Sequence, residues 1–206
     1  MEKDPYETKM TVTSTADPFQ YKNYTIRKQM LKVFGGSFRI YEPGGSLVLF
    51  ASMKAFKLKE DIRLYTREDK AEEVLTIKAR SIIDFSATYD VMDPATGQPI
   101  GALQRKGVKS MIQDEWQIFD ALGVPIGAVK EDSLILALIR RFATNLVPQQ
   151  FHGTVQGDQV FTFHQNFNPF TLRYELDFSS DVMDKLDRRL GIAMAVLLCA
   201  IESRQN

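Results

Sequence analysis

Basic side chains recur along the middle of the chain where short apolar segments end. They are Lys54, Lys57, Lys59, Lys78, Arg80, Arg105, Lys106, Lys109 and Lys130. Ammonium and guanidinium groups bind phosphate oxygens through charge-assisted hydrogen bonds. If the ends of these segments lie side by side about 5 Å apart, as in adjacent strands, their charges converge on one rim. We therefore predict a phosphate-headgroup site made by Lys54, Lys57, Lys78, Arg80, Arg105, Lys106 and Lys109.

The same basic residues also fit an ordinary solvated surface. Glu60, Asp61, Glu131 and Asp132 are interleaved with them and would neutralise their charge. The strand register decides which side chains meet, and a slip of one residue moves every side chain of a strand to the other face. Both interpretations therefore stay open.

Residues that could support catalysis or metal binding do not form a known pattern. His152 and His164 have no cysteine partners at a metal-ligand spacing. The glycine pairs at 35–36 and 44–45 lack a phosphate-loop or dinucleotide-binding motif, and no serine sits in a nucleophile elbow. The sequence predicts a non-enzymatic protein that needs no cofactor and no metal ion.

Composition and cysteine use narrow the class of protein. Lys plus Arg and Asp plus Glu each total 26, so no global field attracts nucleic acid or an anionic membrane. We expect no nucleic-acid partner, and any other charged partner must be bound by a local patch. The single cysteine, Cys199, lies in an apolar run and is predicted to be buried, which suits a reducing compartment. The start of the chain has no apolar signal region, so we expect a cytoplasmic protein. Residues 1–22 are predicted to be a flexible polar arm, and residues 23–206 a single domain.

Four similar segments, each predicted to be a β-hairpin, must position the basic residues. They begin at Phe38 (FRIYEPGGSLVLFASMK), Ile62 (IRLYTREDKAEEVLTIKAR), Tyr89 (YDVMDPATGQPIGALQRK) and Trp116 (WQIFDALGVPIGAVKED), roughly 24 to 27 residues apart. In each, the first strand alternates apolar and polar residues, which places one face toward a core. In the first segment, Pro43-Gly44 suits a type II turn. Successive hairpins without intervening helices favour a closed antiparallel barrel, because closure removes exposed sheet edges.

The segments after these hairpins complete the predicted fold. A fifth hairpin is predicted around Gly157-Asp158, and an alternating strand begins at Phe170. Between the fourth and fifth hairpins, Asp132–Pro148 is predicted to be a helix capped by Asp132 or Ser133. A hydrophobic strand through Leu134–Ile139 is the alternative.

The longest apolar run, Leu190 to Ile201, is too short to span a bilayer. Its twelve or so uncharged residues make about 18 Å of helix, whereas a bilayer core needs about 30 Å. It has no polar face to turn toward water, so it is predicted to thread through the barrel. Its small residues would let strand walls approach closely: Gly191, Ala193, Ala195, Cys199 and Ala200.

Charged residues at the start of this helix should stabilise it. Asp181 or Ser180 is predicted to cap its first turn. Asp184 and Asp187 would oppose the charges of Lys185, Arg188 and Arg189, which otherwise face the positive end of the helix dipole.

The hairpins, followed by FNPFTLRYELDFSSD and LDRRLGIAMAVLLCAIESRQ, resemble the tubby C-terminal-like superfamily. The resemblance covers roughly Tyr24 to Gln205 and is strongest to the phospholipid-scramblase-related and LURP-one-related members. It implies an antiparallel barrel around a buried C-terminal helix. Tubby-like members bind phosphoinositides through basic side chains on neighbouring strands, and scramblases act on membrane phospholipids. This chain lacks the cysteine-rich segment and the proline-rich N-terminal region of eukaryotic scramblases.

Three functions are compatible with this resemblance. The first is a non-enzymatic module that binds anionic phospholipid headgroups at a membrane surface, which makes the protein cytoplasmic or peripheral at a membrane. The second is phospholipid scrambling, which requires the C-terminal helix to enter the bilayer and is opposed by the short apolar run and the missing lipidation signals. The third is a protein-interaction scaffold with no lipid ligand.

Overall fold

A computed structural model describes residues 16–28, 36–53, 61–83, 86–106, 115–132, 150–166 and 173–205. Within these ranges the chain forms twelve β-strands and one α-helix. The strands are β1 (Asn23–Lys28), β2 (Ser37–Tyr41), β3 (Leu47–Met53), β4 (Asp61–Tyr65), β5 (Glu73–Ile83), β6 (Ser86–Met92), β7 (Pro99–Arg105), β8 (Glu115–Phe119), β9 (Pro125–Glu131), β10 (Gln150–Val155), β11 (Asp158–Asn166) and β12 (Arg173–Asp177), and the helix α1 is Arg188–Gln205.

The strands form one closed antiparallel barrel. Each strand pairs with its neighbours in sequence, and β1 pairs with β12 to close the ring. Closure leaves no unpaired edge among the described strands, which removes the usual site of strand-to-strand aggregation. The predicted mainly β fold, a barrel of successive hairpins with a C-terminal helix, is confirmed.

A β-bulge recurs at the same place in the four predicted hairpins. In each hairpin the register skips one residue of the second strand just after the turn, and the skipped residues are Val48, Val74, Ile100 and Ile126. Positions 48, 74, 100 and 126 are a constant 26 residues apart. Bulges increase the local twist and bend a strand, so this repeat gives each hairpin a similar bend around the barrel.

The predicted type II turn at Pro43-Gly44 is wrong. The left-handed residue is Gly45, with φ of 87°, one position later than predicted. The Gly45 amide donates to the carbonyl of Glu42 at 2.9 Å, so Pro43 and Gly44 are the central residues of the turn, but Gly44 is not left-handed as a type II turn requires. The Glu42 carboxylate also accepts hydrogen bonds from the amides of Gly44 and Ser46. Two other turns also begin with an acid and end with a left-handed glycine: Asp93 to Gly97 and Asp120 to Gly123.

The helix α1 runs through the interior of the barrel. It contacts β7 and β12, which are five strands apart in the ring of twelve and therefore lie on nearly opposite walls. Gly191 is buried, and every other residue from Leu190 to Ala200 is at most 3% exposed. The prediction of an enclosed apolar helix is confirmed. Among the described residues, no helix is long and apolar enough to cross a membrane.

Two glycines permit close contact around the helix. A Cβ atom on Gly101 of β7 would lie 2.3 Å from the carbonyl oxygen of Phe119 and 3.1 Å from the side chain of Leu190. A Cβ atom on Gly191 would lie 2.4 Å from the ring of Phe178. Non-bonded carbon atoms need about 3.5 Å or more, so larger residues at these positions would force the helix away from its neighbours.

The helix begins later than predicted, and its cap is a different residue. The amide of Arg189 donates to Asp187 Oδ1 at 2.9 Å, so Asp187 caps the first turn instead of Asp181 or Ser180. Asp181 instead accepts hydrogen bonds from the amides of Lys185 and Leu186 and fixes the preceding loop.

The charge pairs predicted at the start of the helix form for its two arginines. Arg188 pairs with Asp184 at 2.8 Å, and Arg189 pairs with Asp187 at 2.6 Å. Lys185 instead reaches Asp158 at the start of β11.

The remaining predicted elements are only partly described. The fifth hairpin is β10–β11, with Gln156 and Gly157 both left-handed, as a type I′ turn requires. The strand predicted from Phe170 is described as β12. The helix predicted for Asp132–Pro148 and its alternative strand, Leu134–Ile139, lie outside the described residues apart from Asp132 itself.

We predict that Val196→Asp removes most of the stability of the fold. Val196 is 0% exposed within α1, and an unpaired buried carboxylate costs several kcal/mol, comparable to the roughly 5–15 kcal/mol of a whole domain. Denaturant unfolding would measure the loss. Val182→Asp is the matched control, because Val182 is 77% exposed and should tolerate the change within about 0.5 kcal/mol. A chain truncated after Asp187 that still unfolds cooperatively would contradict the enclosed helix.

We also predict that Cys199 resists a water-soluble thiol reagent in the native protein. The side chain is 0% exposed, and reaction requires access to the sulfur. Mass spectrometry should therefore detect labelling only after denaturant is added. Rapid labelling without denaturant would show that the helix leaves the barrel readily.

Candidate functional site

The two ends of the barrel differ in their connections. One end, the turn end, is formed by residues 16–22, 42–46, 66–72, 93–98, 120–124, 156–157 and 178–189. The other end, the return end, is where the second strand of each of the four hairpins ends. These second strands are β3, β5, β7 and β9. All the basic residues predicted to bind phosphate belong to the return end or to the segments that follow these strands.

The predicted basic residues are farther apart than expected. A first strand of the next hairpin, β4, β6 or β8, lies between each pair of return strands. Equivalent ends are therefore separated by about 10 Å, twice the spacing of adjacent strands, and the assumption of direct adjacency is wrong. The described residues of the predicted site are Lys78 and Arg80 on β5, Arg105 at the end of β7, and Lys106. Lys54, Lys57 and Lys109 lie outside the described residues, as does Lys59.

Carboxylates from the intervening strands neutralise part of this basic surface. Arg80 Nε donates to both carboxylate oxygens of Asp90, at 3.1 and 3.0 Å. This hydrogen bonding, with the charge of Asp90, raises the pKa of the Arg80 guanidinium above its usual value. Lys106 pairs with Glu115 at 2.8 Å, and Lys130 reaches the same oxygen at 3.9 Å.

Lys78 is the most available cation of the predicted set. It lies opposite both Asp61 and Asp90 in the register, yet it is exposed and forms no ion pair with any described residue. The part of the predicted site that the structure describes is thus an alternating surface of cations and acids, with Lys78 open to a ligand.

A second basic group, which the sequence did not reveal, lies on the outer wall. Arg27 of β1 is directly opposite Arg39 of β2 on one side and Arg173 of β12 on the other. Their chain neighbours Ile26 and Ile40 are fully buried and face the interior, so the three arginines face outward. We call Arg39, Arg27 and Arg173 the arginine row.

The arginine row is held by acidic and aromatic neighbours. Arg39 makes two hydrogen bonds to Glu68, at 2.7 and 3.1 Å. Arg173 contacts Glu175 at 3.3 Å, and the Arg27 guanidinium lies 5.4 Å from the ring centre of Tyr41.

The row places three arginines on three adjacent strands, and Glu68 and Glu175 balance part of their charge. Like charges directly opposite each other in a sheet are destabilising, and an anion placed between them relieves that repulsion. Guanidinium groups are also suited to bidentate contact with phosphate oxygens.

The signal for this row is present in the sequence only locally. In each of the patterns TIRK, FRIY and LRYEL, an arginine is next to an apolar residue that faces the interior, so the arginine faces outward. Their juxtaposition depends on the pairing of β1 with β12, which joins opposite ends of the chain. Periodicity cannot reveal such a long-range pairing or its register.

One lysine of the return end faces the barrel interior. Lys28, the last residue of β1, lies opposite the buried Phe38. Burial lowers the pKa of its ammonium group, and a weaker effect from Cys199 opposes that shift. The Lys28 side chain therefore faces the interior of the barrel and does not belong to the basic outer surface.

The histidines do not build a recognisable reactive centre. His152 on β10 hydrogen-bonds through Nε2 to the carboxylate of Asp132. His164 is on the neighbouring strand β11, where it lies opposite Gln150. Within the described ranges, no group of three or more histidine, cysteine or acidic side chains is arranged to hold a metal ion.

Comparison with known proteins agrees with the architecture. The model of the LURP-one-related family matches residues 47–199, from the first residue of β3 to the last turns of α1. No curated protein matches the sequence. Arg27 and Arg39 precede the matched range, whereas Lys78, Arg80 and Arg173 lie within it. Because the match covers well over half of the chain, the protein belongs to the LURP-one-related family, within the tubby-like and scramblase-related superfamily.

Proposed function

We propose that the protein is a non-enzymatic module that binds anionic phospholipid headgroups at a membrane surface. The observation that carries the proposal is the arginine row, in which three arginines occupy directly opposed positions on adjacent strands. Arg27 at the centre has an arginine opposite it on either side, so a phosphate bound there would be within reach of side chains from more than one strand. Lys78 offers a further cation on a different wall of the barrel.

The distribution of charge supports a preferred orientation. The turn end carries ten acidic and six basic residues, a net charge of −4. Because the whole chain has a formal net charge of zero, the rest of it carries +4. An anionic membrane repels the turn end and attracts the remainder, so the proposed orientation presents the return end to the lipid.

The enclosed helix favours peripheral binding over insertion. Scrambling by α1 would require the residues from Leu190 to Ala200 to leave the interior and the barrel core to open. Electrostatic attachment through the outer wall needs no such rearrangement. The proposal therefore includes a cytoplasmic location, peripheral to the membrane, and assigns no catalytic or cofactor role to any residue.

We predict that two double variants weaken binding to anionic liposomes. Attraction to an anionic surface is worth about 1 kcal/mol per nearby basic residue, so Arg27→Ala with Arg173→Ala should reduce affinity at least about tenfold at low salt. Lys78→Ala with Arg80→Ala should also bind more weakly. Co-sedimentation with vesicles of neutral lipid, with and without anionic lipid, would measure both effects.

The matched control removes the same charge from the turn end. Lys22→Ala with Arg67→Ala should bind anionic liposomes like the wild type, because both residues lie at the turn end, opposite the proposed lipid surface. Circular dichroism would establish that all variants are folded. The proposal fails if the wild-type protein ignores anionic liposomes, or if the control loses as much affinity as the other two variants. Failure of the first kind would favour a scaffold with no lipid ligand.

A further inference from the structure

The largest exposed apolar side chains of the described residues all lie at the turn end. Leu122 is 88% exposed and Val124 is 52% exposed, both in the connection between β8 and β9. Val182 and Met183, each 77% exposed, lie in the loop between β12 and α1. Single exposed apolar residues are ordinary, whereas exposed apolar residues grouped in one patch mark an interaction surface.

Two contacts bring these connections together. The Gln156 amide at the β10–β11 turn donates to the carbonyl of Ile126, beside the β8–β9 turn, at 3.2 Å. Lys185, close to Met183, forms an ion pair with Asp158 at the other side of the β10–β11 turn. The two apolar pairs therefore flank one short turn. We call Leu122, Val124, Val182 and Met183 the turn-end patch.

The first apolar pair is fixed in its outward position. Asp120 Oδ1 accepts hydrogen bonds from the amides of Leu122 and Val124, at 2.9 and 2.8 Å. Gly123 between them is left-handed, with φ of 79°. These bonds fix the backbone on both sides of the glycine, so little conformational entropy remains to be lost when a partner contacts the two side chains.

The second apolar pair is fixed by a different aspartate. Asp181 is only 3% exposed, and its two carboxylate oxygens accept hydrogen bonds from the amides of Lys185 and Leu186, at 2.8 and 3.1 Å. Asp184 adopts a left-handed conformation, with φ of 49°, which costs free energy for a residue with a side chain. The hydrogen bonds to Asp181 thus hold the backbone of this loop in a conformation that leaves Val182 and Met183 exposed to water.

We propose that the turn-end patch is a docking surface for a basic amphipathic helix of a protein partner. Exposed carboxylates accompany the apolar side chains: Asp158 is 68% exposed and pairs with Lys185, and Asp184 is 76% exposed and pairs with Arg188. The excess of acid that attracts lysine and arginine and repels an anionic membrane is that of the turn end as a whole, with its net charge of −4. A partner with an apolar stripe flanked by cations satisfies both features, and this role goes beyond lipid binding at the return end.

The dimensions suit a short helix. The β8–β9 connection and the loop after β12 are three to four strand spacings of about 5 Å apart, so the patch spans roughly 15 to 20 Å. That distance corresponds to about three to four helical turns of 5.4 Å. Apolar residues at positions i, i+3, i+4, i+7 and i+11 would cover the patch, with basic residues on either side.

Fluorescence anisotropy with a labelled synthetic peptide tests the proposal. The probe is a helical peptide of about 16 residues with leucine at i, i+3, i+4, i+7 and i+11 and lysine at the flanking positions, and its counterpart carries serine in place of leucine. The wild type should bind the leucine peptide at least about tenfold more tightly than the serine peptide. Leu122→Ser with Met183→Ser should lose at least about tenfold in affinity, since both side chains would otherwise be buried in the complex. Ala121→Ser, in the same exposed turn, is the matched control and should bind like the wild type.

Each alternative outcome overturns the proposal. No binding of the leucine peptide up to about 1 mM, equal binding of both peptides, or unchanged affinity in the double variant excludes a helix-docking patch. Loss of binding to neutral vesicles in the double variant, without peptide binding by the wild type, would make the patch a membrane anchor instead. The double variant should still bind anionic vesicles, so this test and the lipid test can fail independently.

Discussion

The structure depends on a helix that has no polar face. From Leu190 to Ala200 every side chain of α1 is buried, so water is excluded around its whole circumference. A single sheet could cover only one side of such a helix, whereas a closed barrel covers all sides. The dependence is mutual, because the inward side chains of the strands would line a large void without the helix. Burial of each large apolar side chain contributes about 1.5–3 kcal/mol, and much of this burial exists only when both parts are in place.

Closure around a helix also explains the uniform hairpins. The bulged residues Val48, Val74, Ile100 and Ile126 recur at a fixed interval, so each hairpin bends at the same height. Acidic residues that bind turn amides then fix the loops next to the bulges. These carboxylates stabilise turns and also make the turn end acidic. The same residues therefore shape the barrel and polarise its charge.

Local patterns in the sequence predicted most of the fold. Alternation in FRIY and WQIF identified strands, and the length and composition of the final apolar run identified an enclosed helix. Features that depend on single hydrogen bonds were missed: Gly45 instead of Gly44 is left-handed, and Asp187 instead of Asp181 caps the helix. The site was less predictable, because pairing between distant strands creates it. No local signal places Arg27 beside Arg173, and none shows that Asp90 neutralises Arg80.

The net charge of this protein conceals how its charges are distributed. A total of zero indicates no global field, but it combines a turn end of −4 with a remainder of +4. Fields from separated charges act over about 8–10 Å at physiological salt, which is shorter than the roughly 23 Å spanned by a seven-residue strand such as β3. The charges at one end are therefore largely screened from the other end. A barrel of this kind can present arginines to an anionic surface at one end while its acidic, apolar turns face a different partner.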